Sequence, residues 1–71
     1  MANPIKELIF RDIDGMWRDC SDGAILADVL SEYNLLIDDR TQFARIYDYE
    51  RGVCFWYRAS AGKIKLTLWA L

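Results

Sequence analysis

The side chains that could do chemistry are two closely spaced aspartates, two cysteines, and the aromatic and basic residues of the second half. Histidine is absent from the 71 residues, which removes the commonest general base and the commonest zinc ligand. Cys20 and Cys54 are too few for a tetrahedral zinc site, and neither has a histidine to activate it. Both are expected to be reduced thiols, with a disulfide between them as the alternative. The composition predicts a non-enzymatic protein without a metal or cofactor.

The run from Leu8 to Gly15 ends with two aspartates one residue apart, Asp12 and Asp14. It resembles the opening motif of haloacid-dehalogenase-type phosphatases, which implies a nucleophile at the first aspartate, an acid at the second and a bound magnesium ion. The pattern departs from that family at Arg11, which interrupts the apolar run, and at Met16, where threonine or valine is usual. The chain is also too short for the later lysine and acidic motifs of that family. A polar turn leading out of the first element is the preferred interpretation.

Charge is divided unevenly along the chain. Residues 1–39 carry nine acids and three bases, whereas residues 40–71 carry six bases and two acids, and the net charge is -2. Either the halves neutralise each other in the folded protein, or one sign faces a partner and governs encounter rate and selectivity. The expected acidic surface comprises Asp22, Asp28, Glu32, Asp38 and Asp39.

The composition also bounds the class of protein. With 54% hydrophobic residues and a small net charge, the chain is expected to fold as a single compact domain over residues 1–71. No apolar run reaches the roughly 18 to 20 residues of a membrane span, and the first seven residues lack the basic-then-apolar order of a signal peptide. A soluble cytoplasmic protein is therefore expected.

Two helices are predicted in the first half. Asn3 and Pro4 form a good helix start, and Ile5, Leu8 and Ile9 follow at helical spacing, which predicts a helix over residues 4–12. The alternative is a strand through residues 8–10 that ends at the turn-like residues 14 and 15. A second helix over residues 22–34 is predicted from a cap at residue 21 or 22 and from apolar residues with helical period, ending at residue 34.

After residue 40 the spacing of the apolar residues changes from the helical period to a period of two. Residues 43–49, 53–58 and 63–68 are rich in aromatic and β-branched residues or alternate cleanly, which predicts three antiparallel strands joined by turns at 50–52 and 59–62. The expected fold class is α+β, with two N-terminal helices packed on a three-stranded antiparallel meander.

The turn lengths set the register and therefore the two faces of this meander. A three-residue first turn and a four-residue second turn pair Tyr49 with Val53 and Arg58 with Lys63. One face is then the expected core, comprising Phe43, Tyr47, Tyr49, Val53, Phe55, Tyr57, Ile64, Leu66 and Leu68. The other face carries nearly all the strand charges, so we expect it to be free. A second turn one residue shorter would mix the two sets.

The free face is the candidate functional surface. Exposed aromatic rings among polar groups are typical of binding surfaces, and tryptophan, tyrosine and arginine dominate interface energies. The expected partner-binding residues are Trp56, Trp69, Arg58, Lys63, Lys65 and Ile46. If instead a helix packs on each side of the sheet, both tryptophans are buried and this surface does not exist.

The sequence thus predicts a small protein-binding module, of the inhibitor or modulator kind encoded by phages and mobile elements. Its partner would be another protein, for which a nucleic-acid-handling complex is one option. A nucleic-acid-binding protein that uses the basic, aromatic second half is an alternative, although a sequence pI near 4.8 argues against it. A homodimer through the outer sheet face is the other alternative, because it would hide the tryptophans and strengthen a thin core.

Overall fold

Five antiparallel strands and one short helix make up the computed structural model, which describes residues 4–38 and 40–71. The strand order is β2-β1-β5-β4-β3, so the first and last strands are neighbours at the centre of the sheet. The elements are β1 (Pro4–Ile13), β2 (Met16–Asp19), α1 (Leu26–Glu32), β3 (Phe43–Asp48), β4 (Val53–Ser60) and β5 (Lys63–Ala70).

The predicted first helix is wrong, and the alternative strand is what the structure contains. β1 pairs with β5 along its length, and Leu8 and Phe10 alternate into the core while Ile9 points to the other face. Asp14 and Gly15 form the turn to β2, with φ angles of 54° and 77°. Left-handed conformations at both central residues are typical of tight hairpins, and Asp-Gly is among their preferred sequences.

The predicted second helix is present but only seven residues long, from Leu26 to Glu32. Neither Ser21 nor Asp22 caps it, because Asp22 Oδ1 instead accepts a hydrogen bond from the Ala24 backbone N–H, and the cap position is Ile25. The helix ends at Glu32, two residues before the predicted end, and Asn34 beyond it has a left-handed φ of 56°. With one short helix on a five-stranded sheet, the expected α+β class is wrong, and the protein is predominantly antiparallel β.

All three strands of the predicted meander are present, but their registers differ from expectation. The turn between β4 and β5 has two residues, Ala61 and Gly62, so Ser60 pairs with Lys63 and the register slips by two positions. An even slip leaves the faces of β4 and β5 as predicted. Between β3 and β4, Asp48 rather than Tyr49 pairs with Val53, a slip of one position that exchanges the two faces of β3.

One face of the sheet, here called the covered face, holds the hydrophobic core. Residues 20–42 run from β2 at one edge of the sheet to β3 at the other edge, and α1 lies within this segment. Leu26 and Val29 of α1 pack on the strands, and the Tyr33 and Phe55 rings lie 4.9 Å apart. The core residues contributed by the sheet are Leu8, Phe10, Phe55, Tyr57, Ile64, Leu66 and Leu68. Burial on this face supplies most of the stabilisation of so small a protein.

The turn between β4 and β5 supports a prediction about stability. Ala61 has a φ of 49° and Gly62 a φ of 72°, and no atom lies within 4 Å of a Cβ built at Gly62. Because asparagine tolerates left-handed backbone better than alanine, we expect Ala61→Asn to stabilise the fold by about 0.5 kcal/mol. Gly62→Ala should destabilise it by about 1 kcal/mol through backbone strain alone. Urea denaturation measures both, and equal effects of the two variants would contradict this geometry.

Candidate binding face

The sheet face opposite the core, here called the open face, carries the candidate functional residues. Residues paired on neighbouring strands share a face, so the registers define its members. They include Glu7, Ile9, Arg11 and Ile13 of β1, Met16 and Arg18 of β2, Phe43, Arg45 and Tyr47 of β3, Cys54, Trp56, Arg58 and Ser60 of β4, and Lys63, Lys65, Thr67 and Trp69 of β5. Trp56 is 39% exposed and Phe43 is 62% exposed, so both aromatic rings are accessible to solvent.

Cations on the open face lie directly opposite one another. Arg11 of β1 pairs with Lys63 of β5 on one side and with Arg18 of β2 on the other. Arg58 of β4 likewise pairs with Lys65 of β5. Like charges in such cross-strand positions cost stability, by roughly 0.2 to 1 kcal/mol a pair. The two rows therefore concentrate positive charge on one part of the open face.

Little on this face neutralises those charges. Its six cationic side chains face one acid, Glu7, whose Oε2 lies 3.2 Å from Lys65 Nζ. Among the described residues, 4–38 and 40–71, this is the only ion pair on the open face. The open face is therefore strongly basic although the whole chain has a net charge of -2.

Aromatic rings occupy the part of the open face beside these cations. The Trp56 and Trp69 rings are 5.1 Å apart and tilted by 42°. The Arg45 guanidinium lies 4.4 Å from the centre of the Trp56 ring, a cation–π contact. At the β3 edge the rings of Tyr47 and Tyr49 are stacked 5.9 Å apart.

A groove of about 390 Å³ joins the aromatic and cationic parts of the face. Phe43, Trp56 and Trp69 line it together with Arg58 and Lys65. The Trp69 Nε1 atom is buried and has no hydrogen-bond partner among the described residues. Unsatisfied buried donors are rare and costly, and they recur at functional sites.

The structure brings together five of the six predicted partner-binding residues. Trp56, Trp69, Arg58, Lys63 and Lys65 all lie on the open face. Ile46 does not, because the one-residue slip of β3 turns it onto the covered face, opposite the buried Phe55. The same slip brings Phe43 and Tyr47 out of the predicted core and onto the open face.

Sequence reasoning missed half of the cations. Arg11 and Arg18 belong to a hairpin whose first strand was predicted to be a helix, and Arg45 shares a face of β3 with Phe43 and Tyr47, which were expected in the core. The signal that finds the hairpin is Asp14-Gly15, which is a strong two-residue turn sequence between two alternating segments.

The predicted acidic surface lies away from the open face. Asp22, Asp28, Glu32 and Asp38 are exposed on the segment that covers the core, and Asp39 lies outside the described residues. The Ala24 backbone N–H lowers the pKa of Asp22, and the Thr41 hydroxyl and Arg40 N–H lower that of Asp38. The acidic surface and the cations of the open face therefore lie on opposite sides of the sheet.

The phosphatase-like pair, Asp12 and Asp14, lies on the β1–β2 hairpin. Asp12 and Asp14 are exposed at the end of the β1–β2 hairpin, where the chain turns back as a strand. Within the described residues, no group of three or more histidine, cysteine, aspartate or glutamate side chains is placed to hold a metal ion. Cys20 is exposed, Cys54 is buried and both thiols are free, as the preferred interpretation of the cysteines predicts.

A second hollow, of about 640 Å³, lies on the covered side between α1, the β1–β2 turn and the sheet. Its lining is mostly apolar and includes Trp17, Leu26, Leu30 and Ile37. The polar groups that fix a ligand's orientation do not converge there as they do on the open face. The open face is the stronger candidate.

Comparisons with protein families, curated proteins and solved structures find no match for this chain. They give no support to the expected inhibitor or phage-type character. In the described part of the chain, α1 is the one helix, and it is not long and apolar enough to cross a membrane.

Proposed function

We propose that this protein binds single-stranded nucleic acid across the open face, with phosphates on the cation rows and bases on the aromatic rings. The observation that carries the proposal is the cationic row Lys63, Arg11 and Arg18, which no described acid neutralises. Proteins that bind single strands combine a basic track for the backbone with aromatic platforms for the bases. This face supplies both.

The spacing of the face suits an extended strand. Neighbouring β-strands lie about 4.8 Å apart, so the cationic row spans about 10 Å across three strands. Lys63 and Thr67, which is paired with Trp56, are four residues apart on β5, or about 13 Å along the strand. A single strand crossing diagonally would meet the cations first and the rings next. A duplex hides the base faces and would reach the cations alone.

The acidic pI of the whole chain does not oppose this function. Charges more than about 10 Å apart are largely screened at 0.1 M salt, so a ligand on the open face responds mainly to that face. The exposed acids of the covering segment lie on the other side of the sheet. They would orient the protein during encounter without contacting the ligand.

Fluorescence anisotropy with a labelled 15-nucleotide oligothymidine tests the proposal. If four of the cations contact phosphates, the logarithm of the affinity should fall with the logarithm of the salt concentration with a slope of about -2.8. Between 50 and 200 mM salt the affinity then falls about 50-fold. An unlabelled duplex of equal length should compete more weakly than the single strand. No binding at 25 mM salt would rule out the proposal.

Trp56→Ala distinguishes base stacking from charge attraction alone. Stacking contributes about 1 to 3 kcal/mol per base, so this variant should bind about 5- to 150-fold more weakly with an unchanged salt slope. Trp17→Phe is the control, because Trp17 packs against the core on the covered face. If both variants bind like the wild type, the rings do not contact bases.

Docking of another protein is the second candidate function, as expected from the sequence. The contacting Trp56 and Trp69 rings and the Arg45 cation over Trp56 favour it, because these residue types dominate protein interfaces. The partner would need an acidic surface. Absence of oligonucleotide binding, together with a partner that the wild type captures and Trp56→Ala does not, would select this candidate. In either case we propose binding rather than catalysis, and the free thiols suit action in the reducing cytoplasm.

A dimer formed through the open face is disfavoured by the same charges. Pairing two copies there would place six cations of one against six of the other, and like-charge contact across an interface is costly.

A further inference from the structure

β3 is an edge strand whose outer backbone groups are available for pairing. The Ala59 N–H donates to the Gln42 carbonyl at 2.9 Å, which places these two residues in a hydrogen-bonded pair of the ladder. Such pairs alternate along an antiparallel ladder. The N–H and C=O groups of Phe43, Arg45 and Tyr47 therefore point away from β4.

This edge lacks the features that usually prevent strand addition. It is six residues long, its pairing with β4 shows no bulge, and it contains neither proline nor lysine. Two of its large apolar side chains, Phe43 and Tyr47, are exposed. The opposite edge is β2, which is four residues long and carries Arg18. The two charges of β3, Arg45 and Asp48, lie on opposite faces of the strand, so the edge keeps exposed aromatic side chains and an unbulged backbone that suit pairing with another chain.

We propose that β3 pairs antiparallel with β3 of a second copy about a two-fold axis at Ile46. In this register Ile46 meets the second copy's Ile46 on the covered face. Arg45 meets the second copy's Tyr47 on the open face, and the symmetry gives this contact twice. The Arg45 guanidinium, which lies over the Trp56 ring of its own chain, is then also next to a tyrosine of the second copy, and each pair exchanges two backbone hydrogen bonds.

Neighbouring registers are less favourable. Centring the axis on Arg45 would place two arginines face to face, which is destabilising. Centring it on Tyr47 would place Asp48 opposite Ile46 of the second copy, so that a carboxylate meets an apolar side chain. The proposed register instead pairs Asp48 with Ala44 at the two ends of the strand, where the small alanine side chain does not cover the carboxylate as isoleucine would.

The pairing goes beyond the proposed function and does not depend on it. A two-fold axis perpendicular to the sheet leaves both open faces on the same side, so the dimer would present one continuous ten-stranded surface. Two linked binding faces hold a long ligand more tightly than either face alone.

Sedimentation equilibrium without any ligand tests the dimer. The wild type should shift from monomer to dimer between micromolar and millimolar concentration. Tyr47→Pro removes an N–H that points away from β4, so it should weaken the dimer about thirtyfold while the circular dichroism spectrum is unchanged. A wild type that remains monomeric throughout, or a Tyr47→Pro variant that dimerises equally well, would overturn the proposal.

Cross-linking tests the register even where the proline variant fails to fold. Residues opposite each other at a non-hydrogen-bonded position have Cα atoms about 4.5 Å apart, within reach of a disulfide. In a Cys20→Ser background, Ile46→Cys should form a covalent dimer on oxidation, whereas the matched Arg45→Cys should not. The opposite result, or no cross-linking from either variant, would overturn the proposed register. None of these measurements depends on nucleic-acid binding.

Discussion

Phe55→Ala should remove most of the stability of this protein. The Phe55 side chain has no solvent exposure, lies at the centre of the covered face and contacts the Tyr33 ring at 4.9 Å. Truncating a buried phenylalanine costs about 3 to 5 kcal/mol through lost burial and the cavity left behind. A protein of this size has a total stability of about 4 to 10 kcal/mol. Thermal denaturation followed by circular dichroism should show the midpoint lowered by about 15 °C or more.

Phe43→Ala is the matched control for this prediction. It deletes the same side chain from a strand of the same sheet, but Phe43 is on the open face and 62% exposed. Its cost should stay within about 0.5 kcal/mol. The pair also tests the register, because a β3 shifted by one residue would bring Phe43 into the core. Comparable losses from the two variants would show that β3 has been assigned to the wrong register.

The faces of β4 and β5 are the part of the structure that the sequence determines best. Phe55 and Tyr57 alternate with cysteine, tryptophan and arginine, and Ile64, Leu66 and Leu68 alternate with lysine, threonine and tryptophan. A register error of two residues leaves such a pattern intact, which is why the tryptophans were correctly placed outside the core although the turn was shorter than predicted. The alternation of apolar and other residues along a strand determines which of its faces is buried, and it does so more reliably than an expected turn length does.

The prediction for β1 is wrong because its apolar residues fit both the helical period of about 3.6 residues and the strand period of two. Ile5, Leu8 and Ile9 mark a helical stripe, whereas Leu8 and Phe10 mark one face of a strand. What decides the outcome is pairing with β5, since Leu8 lies opposite Leu66 and Phe10 opposite Ile64. Partners more than 50 residues away in sequence leave no trace in a local pattern. The error in β1 also left the predicted surface incomplete, because two cations of the open face, Arg11 and Arg18, lie on the β1–β2 hairpin.

β3 was misplaced for a different reason. One face carries Phe43, Arg45 and Tyr47 and the other carries Ala44, Ile46 and Asp48, so each face has two apolar residues and one charge. Hydrophobic patterning then gives no preference for either register, and the choice depends on whether the following turn has three or four residues. The larger aromatic side chains were expected inside, but the structure buries the smaller pair and leaves the aromatic pair on the open face.

Neutralising the cationic row should move affinity and stability in opposite directions. In the triple variant Arg11→Gln, Arg18→Gln and Lys63→Gln, the three neighbouring charges of the open face are removed. If each contacts a phosphate, the salt slope should shrink by about 2 and oligothymidine affinity at 50 mM salt should fall about 100-fold. Removing two like-charge cross-strand contacts should also stabilise the fold by about 0.5 to 1 kcal/mol in urea denaturation.

The opposite signs of these two effects separate a binding role from a structural one. Arg40→Gln is the control, because it removes one exposed cation from the covering segment, and it should change neither the salt slope nor the stability appreciably. If the row served the fold, its neutralisation would destabilise the protein and leave affinity unchanged. A triple variant that is more stable and still binds oligothymidine as tightly as the wild type would show that the charges repel one another without serving this ligand. Loss of affinity with a gain in stability is the signature of residues retained for binding at a cost to the fold.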